Sequence, residues 1–497
     1  MNITGKIALL LLLATIIRGQ DLKSGYNPSS LEELRTQIDD IVEDGNFTHA
    51  FWGIEVRSLK NDEIIYKKNS EKSFVPASAI KLFTTSACFL LLGPDFHYST
   101  EFYTSEEGKQ GEVDDLIIKA SGDPTFSLGV QDSETLFHPL SEISDSLIKY
   151  GIKSVNRKLL ADNRIFDNIY YGEGWELSTL YNWYAPPVSA LSLDGNIVKI
   201  TVSPAKFNFP AEITIDNEFS GISIINKVVT ISADSRINSW IELKRDNDNF
   251  VTVYGEIKEN NEPVSDFVPV FDPSSFFMES LKKSLEENGI TVEAFAANPE
   301  LELEKINYDK LFYQFSIDSE SYIKIAKEIN KNSNNFLAEV ALKTLGVEIY
   351  GKGTSEAGLE AVADVMKNMG INTNNLQIVD GSGLSRHNLV TPRQVVKLLS
   401  YMYKSSEFEH FYGSLPIGGV DGTLSGRMKN TSAENNVRAK PGYLEGVRTL
   451  SGYLKTRDDE PLAFSIMLNN YYVASNLANY MFDLICSRLA NFSRNLN

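Results

Sequence analysis

The chain has 497 residues, 42% of them hydrophobic, and a formal net charge of −19 from 66 acidic and 47 basic side chains. At about 100 to 200 residues per domain, this length suggests two to four domains, each able to bury a core. The acidic balance argues against nucleic acid or an anionic membrane as partner, since both are bound through basic patches.

Residues 1–19 carry Lys6, an uncharged, largely apolar run at 7–17, then Arg18 and Gly19. That run is too short to span a bilayer and reads as a secretory signal cleaved near Gly19. No later stretch approaches membrane length, so the mature chain is expected to be soluble outside the cytoplasm, with no transmembrane anchor. Apolar residues at helical spacing follow over 31–42, then FWGIEVRSLKNDEIIYKKN reads as two strands around a turn at Asn61 and Asp62. The segment PASAIKLFTTSACFLLLG begins a helix after Pro76 and ends at Gly93. It is apolar almost all round, so it is expected to be buried.

From 94 to 299 the character changes to short segments between Asn, Asp, Gly and Pro turns. Strand-favouring alternation is richest over 196–268, in NIVKITVSP, AEITIDN, KVVTISAD, WIELKR and FVTVYGEI. The reading is an insertion with a β-rich inner module, 196–268, inside a mixed outer one, 94–195 plus 269–299. Helical patterning resumes after Tyr322, and TPRQVVKLLSYMY places Thr391 as N-cap with Pro392 at the first helical position. KPGYLEG, VRTLSGYLKT and LAFSIMLNN read as strands, followed by a helix over 475–490. The two ends, 21–93 and 300–497, are thus expected to build one α/β domain around the insertion.

Two cysteines, Cys88 and Cys486, lie in apolar helical contexts, where buried thiols are the plainer reading and a disulfide stays open. Five scattered histidines, His49, His97, His138, His387 and His410, show no metal-ligand spacing. No metal or other cofactor is expected.

Chemistry enters at Ser78 and Lys81, three apart at the start of the apolar helix and therefore on one face. A serine hydroxyl becomes a nucleophile when a base takes its proton, and a lysine serves only if burial or a second cation lowers its pKa. Lys440 is the candidate second cation. The order SAIK at 78–81, SNN at 333–335 and KPG at 440–442 follows the S-x-x-K, S-D-N and K-T-G signature of serine acyltransferases.

With the stretches SGDPTF (121–126), YAPPVSAL (184–191), DGSGLSRHN (380–388) and LPIGGVDGTLSGR (415–427), the chain resembles the D-alanyl-D-alanine carboxypeptidase/endopeptidases of the class C, low-molecular-mass penicillin-binding proteins. The resemblance implies an α/β (α+β) penicillin-binding transpeptidase-like domain, akin to serine β-lactamases, with a long two-module insertion between its first two motifs. It implies Ser78 as nucleophile, Lys81 as general base, and Ser333 as proton relay to the leaving amine. Asn335 would hold Lys81 and the substrate amide. Lys440 would bias Lys81 toward neutrality and attract a carboxylate, and the amides of Ser78 and Tyr443, past Gly442, would form the oxyanion hole. The implied partners are peptidoglycan stem peptides and cross-links, and β-lactams as covalent ligands; the implied place is the bacterial periplasm.

Several residues keep plainer readings. Asp380 to Ser385 are a structural glycine loop or part of the site, and Arg386 is a surface ion-pair partner or a substrate contact. His387 is structural, Asp123 and Asp162 fix turns, and the aromatics near Trp183 pack a domain interface rather than line a ligand groove. The main departure is Pro441, where the family has a hydroxyl that helps bind the substrate's terminal carboxylate. Backbone N–H groups alternate along a strand, so an outward Tyr443 amide puts residue 441 on the same open edge, and proline there loses no ladder bond. Carboxylate recognition would pass to Lys440, Thr449 or Arg386, or weaken in favour of cross-link cleavage. The competing functions are a non-catalytic wall-binding protein of the same fold and a β-lactamase or esterase.

Overall fold

The computed structural model describes residues 27–108, 110–129, 136–245, 249–296 and 303–494, so the expected signal at 1–19 lies outside the described residues. The chain is mixed α/β and divides into two compact units. One comprises the residues up to Leu90, Ala326–Ser333 and those from Val362 onward; the other comprises Leu91–Ile325 and Asn334–Ala361.

Among the described residues, the first unit is built on five antiparallel strands: β1 (Phe51–Ser58), β2 (Ile64–Lys68), β3 (Arg438–Leu444), β4 (Val447–Lys455) and β5 (Pro461–Asn469). Their order is β3-β4-β5-β1-β2. The two ends of the chain meet at its centre, where β1 pairs with β5 from Phe51↔Asn469 to Ser58↔Leu462. Helices α1 (Leu31–Val42), α2 (Ile80–Leu91), α3 (Pro392–Met402) and α4 (Ser475–Asn491) surround it.

Strand alternation sorts the residues of the sheet. Trp52, Ile54, Val56, Ala439, Leu450, Phe464 and Ile466 join Leu34 and Ile38 of α1 and Phe482, Ile485 and Leu489 of α4 in one buried cluster. The neighbouring positions must therefore face the other side, toward α3. Tyr453 marks that side, its hydroxyl donating to Leu399 O at 2.8 Å. The register pairs Lys440↔Ser451 and Gly442↔Thr449, so these four share it. α3 starts as the sequence suggested, with Thr391 and Gln394 forming a capping box and Pro392 at the first turn.

β3 is an edge strand, which settles the geometric question about Pro441. Ala439 N–H donates to Pro416 O at 3.1 Å, away from β4. By alternation the backbone positions of residues 441 and 443 face the same way, off the sheet. Proline at 441 therefore removes no bond of the β3–β4 ladder, where each bond is worth about 0.5–1.5 kcal/mol.

In the second unit, among the described residues, six strands form a mixed sheet in the order Thr291–Val292, Ser154–Asp162, Glu112–Lys119, Ser99–Thr104, Phe312–Asp318, with Phe295–Ala296 also pairing to Ser154–Asp162. Phe312–Asp318, which follows the expected boundary at 299, is thus hydrogen-bonded to Ser99–Thr104. Two three-stranded sheets occupy 197–269. Cys88 and Cys486 are buried thiols. No helix among the described residues is long and apolar enough to cross a membrane.

The edge geometry predicts amide exchange rates. The Gly442 and Thr449 amides, inside the ladder, are expected to exchange at least about tenfold more slowly than that of Tyr443, as read by NMR hydrogen exchange. Equal protection at Tyr443 and Gly442 would contradict the alternation.

Candidate active site

Ser78 lies in a single 3-10 turn, Ala77–Ala79, that leads into α2. Ala77 adopts a left-handed backbone, φ +47°, which is costly for a residue with a Cβ and persists only where the surroundings enforce it. The edge of the sheet and one loop enforce it. Thr449 Oγ1 donates to Pro76 O at 2.9 Å, clamping the turn onto β4. On β3, a Cβ on Gly442 would lie 3.0 Å from both Pro76 O and Ser78 N and 2.3 Å from Thr449 Oγ1, so only glycine lets the strand come this close. Gly383 presses from the loop at φ +87°, where a Cβ would lie 2.0 Å from Ala77 O.

Lys81 is wholly buried. Its Nζ lies 3.2 Å from Ser78 Oγ and donates to Ser382 O at 2.6 Å. The loop carrying Ser382 is organised by Asp380, whose buried carboxylate accepts from Gly383 N at 2.8 Å, Ser385 N at 2.7 Å and Asn388 Nδ2 at 2.8 Å. The glycine loop is therefore structural and also a direct partner of Lys81. Thr84 adds a second tie, donating to Gly381 O at 2.8 Å.

Lys440 is equally buried, and its Nζ donates to Ser333 Oγ at 2.8 Å and to Pro441 O at 3.0 Å. Ser333 also has a left-handed backbone, φ +59°, in the break between the helices Tyr322–Lys331 and Asn335–Tyr350. Burial, and then the charge of Lys81, hold Lys440 well below the usual lysine pKa. Repulsion is mutual, so the pair gives up its first proton more readily than an isolated lysine would, whichever nitrogen loses it. The arrangement offers a partly exposed serine hydroxyl, a lysine in contact with it, and a second serine held by a second lysine.

Of the residues expected at the site, Ser78, Lys81, Ser333, Lys440 and Gly442 come together in the first unit. Tyr443 follows on the open edge, 57% exposed. Arg386 donates to Glu445 O in the β3–β4 turn. Asn335 opens the helix Asn335–Tyr350 in the second unit, where its Nδ2 donates to Tyr184 O at 2.8 Å. Asp123 and Asp162 fix local structure: Asp123 accepts from Thr125 N at 2.8 Å, and Asp162 holds Arg164 and Tyr308. Sequence reasoning did not identify the Ser382 carbonyl or the clamp of Thr449 on Pro76, because each joins segments hundreds of residues apart. The glycine at 383 inside DGSG was the available signal for the first.

Gly442→Ala is expected to displace the turn bearing Ser78 and to lower its reactivity toward an active-site serine probe by about a hundredfold, the usual effect of a misplacement near 1 Å. Wild-type labelling by the variant would mean that the close approach is not needed.

Comparison with known proteins gives the family and the fold. The profile of the D-Ala-D-Ala carboxypeptidase 3 (S13) family matches residues 34–486. A D-alanyl-D-alanine carboxypeptidase of Actinomadura sp. (strain R39) is 32% identical over 98% of this chain and 90% of its own length. The crystal structure of penicillin binding protein 4 from Haemophilus influenzae superposes with a TM-score of 0.78 at 24% identity, covering 91% of this chain and 98% of that one. The same protein complexed with a β-lactam gives 0.73 at 23% identity, covering 92% and 98%. With the penicillin-binding fold, the three motifs in order and a profile match across nearly all of the described residues, the chain belongs to the D-Ala-D-Ala carboxypeptidase 3 (S13) family.

Proposed function

We propose that the chain is a secreted serine DD-peptidase that cleaves D-Ala-D-Ala bonds, or the D-Ala bonds of peptidoglycan cross-links, through an acyl-enzyme on Ser78. The observation that carries this reading is the contact of Lys81 Nζ with Ser78 Oγ beside the Lys440–Ser333 pair. The apolar run at 7–17 supports secretion.

Ser78 Oγ adds to the carbonyl carbon while neutral Lys81 Nζ takes the hydroxyl proton, a step worth about 10²- to 10⁴-fold for a positioned base. The oxyanion that forms is held by the N–H groups of Ser78 and Tyr443, each donor of this kind being worth about 2.7–4 kcal/mol. The C–N bond then breaks as the leaving amine receives a proton through Ser333, leaving an ester on Ser78. Water adds to that ester, its proton passing to the lysine, and Ser78 Oγ is reprotonated as the acid departs. Asn335 carries the role that the S-x-N motif implies. A β-lactam follows the first half of this path, opening its ring onto Ser78; the complex of the Haemophilus influenzae protein supports that expectation.

Incubation with a fluorescent penicillin tests the reading. A covalent adduct that is lost in Ser78→Ala is expected; the same labelling in Ser78→Ala would overturn the nucleophile, and its absence in both would favour a wall-binding protein. Rapid release of hydrolysed antibiotic would point instead to a β-lactamase. Products from cross-linked and uncross-linked muropeptides then report the balance between endopeptidase and carboxypeptidase action.

The lysine pair sets the pH dependence. A doubly protonated pair cannot serve as base, so the rate of adduct formation is expected to fall as pH drops, with its midpoint below the ordinary lysine value of about 10.4. In Lys440→Met the repulsion is gone, Lys81 holds its proton more firmly, and the limb moves to higher pH. A limb that stays in place or moves down would show that Lys440 does not act on the base.

A further inference from the structure

The stretch LPIGGVDGTLSGR, 415–427, joins the two elements that carry the Lys440–Ser333 pair. On the side of β3, Ala439 N–H donates to Pro416 O at 3.1 Å and Gly418 N–H to Val437 O at 2.9 Å. This antiparallel bridge of Ile417 with Arg438 ends one residue short of Lys440.

On the other side the stretch meets the end of the helix Tyr322–Lys331, two residues before Ser333. Ser414, just ahead of it, accepts from Asn330 Nδ2 at 2.9 Å, and Asp421 Oδ2 accepts from Lys331 Nζ. Gly422, at φ +54°, lies so close that a Cβ there would sit 2.6 Å from Lys331 O. The Asn330 amide also donates to Thr85 Oγ1 at 3.2 Å, on the helix α2 that carries Lys81.

Asp421 fixes the shape of the stretch between these contacts. Its Oδ1 accepts from Ile417 N at 2.8 Å, which closes the turn between the bridge on β3 and the 3-10 turn Gly422–Leu424. Leu424 then anchors that turn in the core, wholly buried. One carboxylate therefore holds the β3 bridge with one oxygen and the helix end with the other. Ser333 needs such support. Its left-handed backbone, φ +59°, is costly for a residue with a Cβ and persists only where the surroundings enforce it. Its hydroxyl must also meet Lys440 Nζ, at 2.8 Å here.

We propose that Asp421 is a positioning residue for Ser333, locking 415–424 as a strut between β3 and the helix end so that the Ser333 hydroxyl is held against Lys440. The assignment rests on the DD-peptidase reading above and deepens it. As the C–N bond breaks, Ser333 Oγ–H gives its proton to the leaving nitrogen and takes one from the lysine pair, which thereby gives up the proton received from Ser78. Asp421 touches none of the reacting atoms; it acts through where Ser333 stands.

The test compares leaving groups. A peptide must release a protonated amine, whereas a thioester of the same acyl group releases a thiolate that needs no proton. Asp421→Ala is expected to lower kcat/KM for an acyl-D-Ala-D-Ala peptide by about 10- to 100-fold relative to the thioester, the effect of a misplacement near 1 Å. Ser333→Ala is expected to lower the same ratio at least as far, and the double variant no further than Ser333→Ala alone. The Lys331 and Asp421 side chains are 20% and 36% exposed, so their pairing adds little to stability and the variants are expected to fold. If Asp421→Ala does not fold, as read by near-ultraviolet circular dichroism, Lys331→Met decides, because it leaves the bond from Ile417 N intact. An unchanged ratio, an equal loss on both substrates, or additive losses in the double variant would overturn the role of Asp421 and leave the peptidase reading standing. Failure of the wild type to cleave the peptide would overturn that reading, and this inference with it.

Discussion

Two lysine side chains lie wholly buried beside a serine, and the rest of the site follows from that constraint. A buried ammonium is tolerable only where acceptors replace its water, and two in one place repel. Lys81 therefore reaches Ser382 O and Ser78 Oγ, while Lys440 reaches Ser333 Oγ and Pro441 O. Ser78 and Pro441 are local to their own lysines, but Ser382 and Ser333 come from distant segments, so the first unit must bring 382 to Lys81 and 333 to Lys440 to complete these contacts. Folding and readiness for the proposed chemistry are in this sense one problem: the same desolvation that makes Lys440 costly to bury lowers its proton affinity.

The edge of the sheet solves the second part of that problem. An edge strand leaves outward amides without a ladder partner, usually a liability; here Ala439 N–H is taken by Pro416 O and residue 441 is proline, which leaves the Tyr443 amide as the donor that the proposed reaction uses. Gly442 lets the serine turn approach, Thr449 clamps it from the neighbouring strand, and Gly383 presses on it from the Asp380 loop. The strained backbone of Ala77 is the local cost of this convergence. Pro441 fits because the edge needs no donor there.

Much of this was legible before any coordinates. The strands of 197–269, the capping box at Thr391, the buried helix after Pro76 and the three spaced motifs are local patterns, and local patterns survive in a sequence. The open readings of Asp380 and Arg386 were of another kind. Whether a DGSG loop is scaffolding or site depends on what lies across from it, and Lys81 is 301 residues away from the carbonyl it holds.

The sequence by itself determined which groups can carry the chemistry: a serine three residues before a lysine on one helical face, a second lysine at the head of a strand, and a proline where a hydroxyl is usual. It could do so because helix and strand periodicity are properties of adjacent residues. Only the tertiary structure decided which carbonyls hold the lysines and which hydroxyls are already engaged. Those outcomes depend on burial and on contacts between distant segments, and the chain acquires them when the sheet closes β3 and β4 against the turn that carries Ser78.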